Sequence, residues 1–166
     1  MTCTAWDGHY RAARAAGRYL PGMSSRRFAT SIEIAAPPEE VWDVLADVVR
    51  WPEWTESVSR VELLDAGPLD LGSRVRVTQP KLPVTVWEVT EFAPGVSFTW
   101  TARRTGISTV GGHHVIADAR GGTTLVLSIE QSGLLAPLIW LATGGLTRQY
   151  VGIEARGLKK RAEQFV

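Results

Sequence analysis

Leu134-Leu135-Ala136-Pro137-Leu138-Ile139-Trp140-Leu141-Ala142 opens the last stretch of the chain, and Leu158-Lys159-Lys160-Arg161-Ala162-Glu163-Gln164-Phe165-Val166 closes it. Pro137 suits a first helical turn, where its missing N–H is not needed. Val151, Leu158, Ala162 and Phe165 stand at i, i+7, i+11 and i+14, which is one helical face. Leu146, Tyr150 and Ile153 add a second stripe. A helix apolar over that much of its circumference needs something wrapped around it. Gly144-Gly145 offers a break, since each glycine costs on the order of 1 kcal/mol relative to alanine. A break there leaves Leu134–Thr143 as a separate lid-like turn and starts the gripped helix near Leu146. In either arrangement Leu138, Leu141 and Tyr150 are expected to wall a cavity.

Working back from that helix, 58–132 reads as short strands separated by turns. The predicted strands are Ser59–Asp65, Arg74–Gln79, Thr85–Phe92, Ser97–Arg103, Thr109–Ala119 and Thr123–Gln131. Pro94-Gly95 and Gly121-Gly122 are the clearest hairpin turns. Consecutive strands on short loops imply an antiparallel meander, because parallel pairing needs long crossovers. Before them, Phe28–Ile34 alternates as a strand. Pro37-Pro38-Glu39-Glu40 then opens a helix with proline in the first turn and acids at the positive end of the dipole. Trp51-Pro52-Glu53-Trp54 ends it, and a second short helical turn follows. The layout is α+β, with a sheet long enough to curl and a concave face that must bury apolar side chains.

The chain of 166 residues, 45% apolar and 21% charged, fits one globular domain. Its net charge of +1 conceals an asymmetry: residues 1–27 hold five arginines and Asp7, a net of +4, and the rest is at −3. A mildly acidic body without a basic stripe argues against nucleic acid. Cys3 is the only cysteine, which rules out an intramolecular disulfide or a thiolate cluster and is compatible with a reducing cytoplasm. Leu134–Leu146 is too short to span a membrane. Arg11, Arg14 and Arg18 interrupt any secretory signal core. The expected organisation is an appendage at 1–27, disordered or partly helical, and a cytoplasmic domain at 28–166.

Several stretches together resemble a known family. They are Ile32-Glu33-Ile34-Ala35-Ala36-Pro37-Pro38-Glu39-Glu40-Val41-Trp42-Asp43-Val44-Leu45-Ala46-Asp47, Trp51-Pro52-Glu53-Trp54 and Trp87-Glu88-Val89-Thr90-Glu91-Phe92-Ala93-Pro94-Gly95. Gly122-Thr123-Thr124-Leu125 and Ser132-Gly133-Leu134-Leu135-Ala136-Pro137-Leu138 complete the set. From Phe28 onward the chain resembles the birch-pollen-allergen-like, START-like superfamily, and more narrowly its bacterial polyketide cyclase/dehydrase and lipid-transport group. The resemblance implies a helix-grip fold: a curled seven-stranded antiparallel sheet around a long C-terminal helix, with two short helices after the first strand and a hydrophobic cavity between sheet and helix. It implies a small hydrophobic ligand, lipid-like or aromatic and polyketide-like; no cofactor is expected. Functions in the superfamily run from carriage to ring closure, so the fold implies a cavity and not a reaction.

The candidate site residues are Trp54, Trp87, Trp100, His114, Gln131, Leu138, Leu141 and Tyr150. Seven tryptophans suit an apolar ligand with few polar handles. Core packing is the competing reading of those rings, and periodicity leaves open which face of Thr85–Phe92 points inward. In a regular strand His113 and His114 point to opposite faces. Parity with Gly112, Ile116 and Asp118 selects His114 as the inward imidazole and candidate proton shuttle; a hydrogen-bonded structural histidine is the alternative. Leu125, Leu127 and Ile129 put Gln131 inward and Glu130 outward. No nucleophile motif, phosphate-cradling loop or metal-ligand spacing appears, so the carrier and cyclase readings both stand. The expected partners are the ligand and, in a homodimer, a second copy of the chain.

Overall fold

A computed structural model of the chain describes residues 25–164; residues 1–24 of the expected appendage, and Phe165 on the helical face, lie outside the described residues, while 25–27 belong to the first strand. The strands are β1 (Ser25–Ile34), β2 (Arg60–Leu63), β3 (Arg74–Thr78), β4 (Thr85–Ala93), β5 (Ser97–Arg104), β6 (Ile107–Ala117) and β7 (Thr123–Ser132). They form one antiparallel sheet in the order β1-β7-β6-β5-β4-β3-β2, so the first strand lies beside the last. Helix α1 (Pro38–Ala46) and a 3-10 helix (Val48–Glu53) separate β1 from β2, and α2 (Ala136–Ala162) follows β7. This is the helix grip. Each strand seen in the structure lies within about two residues of its sequence reading, except that β1 starts at Ser25 instead of Phe28.

Local chemistry accounts for these elements. Pro37 caps α1 from extended backbone and Pro38 begins it, with Glu39 and Glu40 in the first turn. Val41 and Leu45 form its buried face. Pro52 is accommodated in the tighter 3-10 turn, which seats Trp51 in the core with its indole N–H donating to the Leu45 carbonyl at 3.0 Å.

The inward face of β4 changes parity part-way along. Val89 pairs with Trp100 but Glu91 pairs with Thr99, leaving Thr90 as a bulge. An extra residue flips every following side chain to the other face. Trp87, Val89 and Phe92 therefore all reach the core. Simple alternation could not have assigned that face.

Helix α2 is continuous through Gly144-Gly145, and no separate lid-like turn exists. The Trp140 ring lies over Gly144, 3.0 Å from where a Cβ would stand, and Gly144 is buried. Packing of this kind offsets the poor propensity of Gly144. Gly133, at φ +118, makes the turn from β7 into α2; a Cβ there would lie 2.4 Å from the Gly106 carbonyl oxygen, so only glycine fits.

The far end of α2 is fastened by polar contacts. The Glu163 carboxylate accepts from the Ala35 N–H at 2.8 Å and from the Lys159 ammonium at 2.7 Å, while Lys159 also donates to the Glu33 carbonyl. The Ala35 N–H first, then Lys159, hold the Glu163 carboxyl below the usual glutamate value.

Candidate functional site

Between the concave sheet and α2 lies a cluster of aromatic rings. Trp87 and Trp100, in adjacent strands, stack at 5.3 Å and 26°. Trp51 meets Trp100 at 5.3 Å, and Phe98 meets it edge-on at 5.4 Å. All four rings are buried. Glycine makes the space. Gly111 sits opposite Trp100 in the β5–β6 register, and a Cβ there would lie 2.5 Å from the indole nitrogen. The indole thus occupies a notch that any side chain at position 111 would close.

Within this cluster stands a buried imidazole, and it belongs to His113. The register Phe98↔His113 and Trp100↔Gly111 puts positions 111, 113 and 115 inward. His114 lies on the opposite face with Gly112 and Ser128, which corrects the parity assigned from sequence. The apolar signal that suggested the other parity, Ile116, is an exposed residue; Val115 is the buried one. His113 stacks on Phe98 at 4.2 Å and 16° and meets Trp100 edge-on at 5.1 Å.

Opposite it, Glu154 of α2 brings Oε1 to 3.4 Å from His113 Nε2, both side chains being almost wholly removed from solvent. His113 Nδ1 has no hydrogen-bond partner among the described residues. In the neutral tautomer that carries its proton on Nε2, Nδ1 presents a lone pair; in the imidazolium both nitrogens are donors. A carboxylate–imidazole pair in an aromatic surround can orient a polar group of a ligand or move a proton at Nδ1.

Sequence reasoning passed over both members of this pair, and Trp51 with them. One signal was available: Glu154 interrupts the stripe Tyr150, Val151, Ala155, Leu158 that seats α2 in the sheet. An acid on an apolar helix face is costly unless it meets a partner.

The other candidates divide. Trp87 and Trp100 face inward, as does Gln131, whose Oε1 is buried without a partner among the described residues. Tyr150 is buried too, with its hydroxyl donating to the Pro80 carbonyl. Trp54 is half-buried beside Trp51 at 5.7 Å, outside the aromatic interior. It borders two open surface recesses, of about 360 and 300 Å³, where α1, the 3-10 helix and the end of α2 meet. Both are lined by charged side chains of either sign, Arg161 being common to the two, and they lie apart from the His113 cluster.

Leu138 and Leu141 line no interior wall: they are 66% and 84% exposed on the outer side of α2. Ala136 and Gly144 are the buried residues there. Hydrophobicity alone pointed to the leucines, but the buried positions here are held by small side chains, with Gly144 under the Trp140 ring.

The model of the polyketide cyclase / dehydrase and lipid transport family matches residues 25–163. The chain belongs to this family. Solved structures agree on the fold. The Zhui aromatase/cyclase from Streptomyces sp. R1128 superposes with a TM-score of 0.71 at 18% identity, over 85% of this chain and 95% of that one. A START superfamily protein from Mycobacterium smegmatis gives 0.64 at 17%, over 84% and 99%. Norcoclaurine synthase from Thalictrum flavum gives 0.64 at 14%, over 88% and 99%. No curated protein sequence matches the chain. No helix among the described residues is long and apolar enough to cross a membrane, and no group of three or more His, Cys, Asp or Glu among them is placed to hold a metal ion.

Proposed function

We propose that this family member binds a small hydrophobic molecule between the sheet and α2, with an aromatic or lipid-like body against Trp87 and Trp100 and a polar group at His113. The observation that carries the reading is the buried His113 Nδ1, without a partner among the described residues, inside an aromatic surround. Mostly apolar walls with one or two placed polar groups are the chemistry of small-molecule sites. Glu154 fixes the imidazole from behind, and Gln131 is the second inward polar group, further along the sheet. Family membership and the START-like neighbours support the ligand class.

The test is a pair of probes, naphthalene and naphthol, titrated against the purified chain and followed by tryptophan emission. Naphthol is expected to bind more tightly than naphthalene, and His113→Gln to reduce that preference by about fivefold, the worth of one hydrogen bond of about 1 kcal/mol. Binding of neither probe, with native mass spectrometry finding no apolar ligand on the protein, would remove the reading.

The His113–Glu154 pair favours a second reading, an enzyme of the cyclase or dehydrase kind. In it His113 takes the proton-shuttle role that sequence parity assigned to His114. Proton transfer at Nδ1 would act on a chain folded by the cavity, where positioning supplies much of the rate. Unchanged turnover of a reactive polyketide by His113→Ala would dispose of that mechanism and leave the carrier reading intact.

A further inference from the structure

One end of the molecule is both apolar and basic. Leu134, Leu135, Leu138 and Leu141 are exposed there, Leu134 to 87%. Several segments converge on these leucines. Ser25 and Ser108 both register with Ser132. The Leu135 N–H donates to the Gly106 carbonyl at 3.0 Å, and Arg104 donates to the carbonyl of exposed Val84 at 2.6 Å. The Arg148 guanidinium lies 5.8 Å from the Trp140 ring.

The charge of this end is one-sided. Residues 25–27, 80–85, 103–109 and 130–150 carry Arg26, Arg27, Lys81, Arg103, Arg104 and Arg148 against the single acid Glu130. Six cations and one acid leave +5, in a chain whose total is +1. Arg27 stands opposite Glu130 in the β1–β7 register, so the five uncompensated cations are the others.

Contiguous exposed leucines mark a contact surface. The charge decides with what. A second copy docked face to face would set five positive charges against five, and residues 1–24, themselves at +2 from Arg11, Arg14, Arg18 and Asp7, meet the same repulsion. Leucines within a basic rim match instead the boundary between acyl chains and anionic headgroups.

We propose that the N-terminal end of α2, with the β5–β6 hairpin, docks on a bilayer surface carrying anionic lipids. The leucines enter the acyl boundary and the arginines meet the phosphates. The proposal does not depend on what occupies the aromatic interior.

Co-sedimentation of the full chain with phosphatidylcholine vesicles, with and without about a third of phosphatidylglycerol, tests it. Binding is expected on the anionic vesicles, falling steeply on neutral ones and as salt is raised well above about 0.1 M. Leu138→Asp with Leu141→Asp should lower partitioning by about tenfold or more, because two charges replace the inserted side chains. Arg103→Glu and Arg148→Glu should each cost about fivefold or more. Leu71→Asp, at an exposed leucine in the β2–β3 loop away from this end, should bind as the parent chain does. All these positions are exposed, and circular dichroism checks that the variants fold. Failure of the full chain to bind anionic vesicles overturns the proposal, as does binding indifferent to the leucine substitutions. A concentration-dependent dimer abolished by those substitutions, without vesicle binding, would reassign the face to a second copy. Vesicle binding seen only after removal of residues 1–24 would reassign it to that segment.

Discussion

Two glycines of α2 give a prediction whose sign the geometry decides. Both are interior helical positions, where alanine is favoured over glycine by about 1 kcal/mol. At Gly145 a Cβ meets nothing within 4 Å, so Gly145→Ala is expected to stabilise the protein by up to about 1 kcal/mol. At Gly157 a Cβ would lie 2.3 Å from the Trp54 carbonyl oxygen. That neighbour is backbone, held in a turn where the Trp54 N–H donates to the Trp51 carbonyl at 3.1 Å. It cannot swing aside as a flexible side chain could, and relief requires helix and turn to part. Overpacking costs about 1–3 kcal/mol, and a contact this short with fixed backbone belongs in the upper part of that range, at about 2–3 kcal/mol, which outweighs the propensity gain. Gly157→Ala should therefore be destabilising by about 1–2 kcal/mol net, a fall of about 2–8 °C in Tm for a domain of this size. Urea unfolding followed by tryptophan emission measures both variants, and an unchanged m-value confirms that stability changed without a change in the surface exposed on unfolding. Displacement of α2 at Gly157 also draws Glu154, one turn earlier, away from His113, so the naphthol preference should weaken in Gly157→Ala and persist in Gly145→Ala. If Gly157→Ala gains stability as Gly145→Ala does, α2 is not seated against the Trp54 turn and the geometry of the grip is refuted.

Other perturbations follow from named contacts. Gly111→Ala closes the notch under Trp100, whose ring is wedged among Trp51, Trp87 and Phe98; it should cost about 1–3 kcal/mol and shift tryptophan emission, and an unaltered spectrum would contradict the packing. Tyr150→Phe removes the hydrogen bond to the Pro80 carbonyl and should cost about 1 kcal/mol in urea unfolding. For Glu163 the folded carboxyl lies below its ordinary value of 4.5. Its stabilisation is therefore present above that pH and lost as pH falls through the folded value. Stability measured from neutral pH downward should decline less steeply in Glu163→Gln than in the parent chain, and parallel curves would show that this contact contributes nothing.

The strand–helix–strands–helix order was legible in the chain because it rests on local chemistry. Prolines open both α1 and α2, alternation and turn residues bound the strands, and a long apolar segment can be stable only inside a wrapping. Gln131 was placed inward correctly for the same reason: Leu125, Leu127 and Ile129 all share its parity.

The site was less legible, because its members are chosen by register and not by residue type. A bulge at Thr90 and the pairing of Gly111 with Trp100 decide which rings reach the interior, and neither leaves a mark in a hydropathy pattern. His113 and His114 differ by one position, and one position is a change of face. Glu154 comes opposite His113 only once α2 is laid on the sheet, and the same docking leaves Leu138 and Leu141 outside, with Ala136 and Gly144 on the buried side. Apolar patterning along the chain is enough to require a gripped helix; which histidine meets an acid there emerges only in the folded arrangement, since contacts between distant segments depend on pairing that no local pattern encodes.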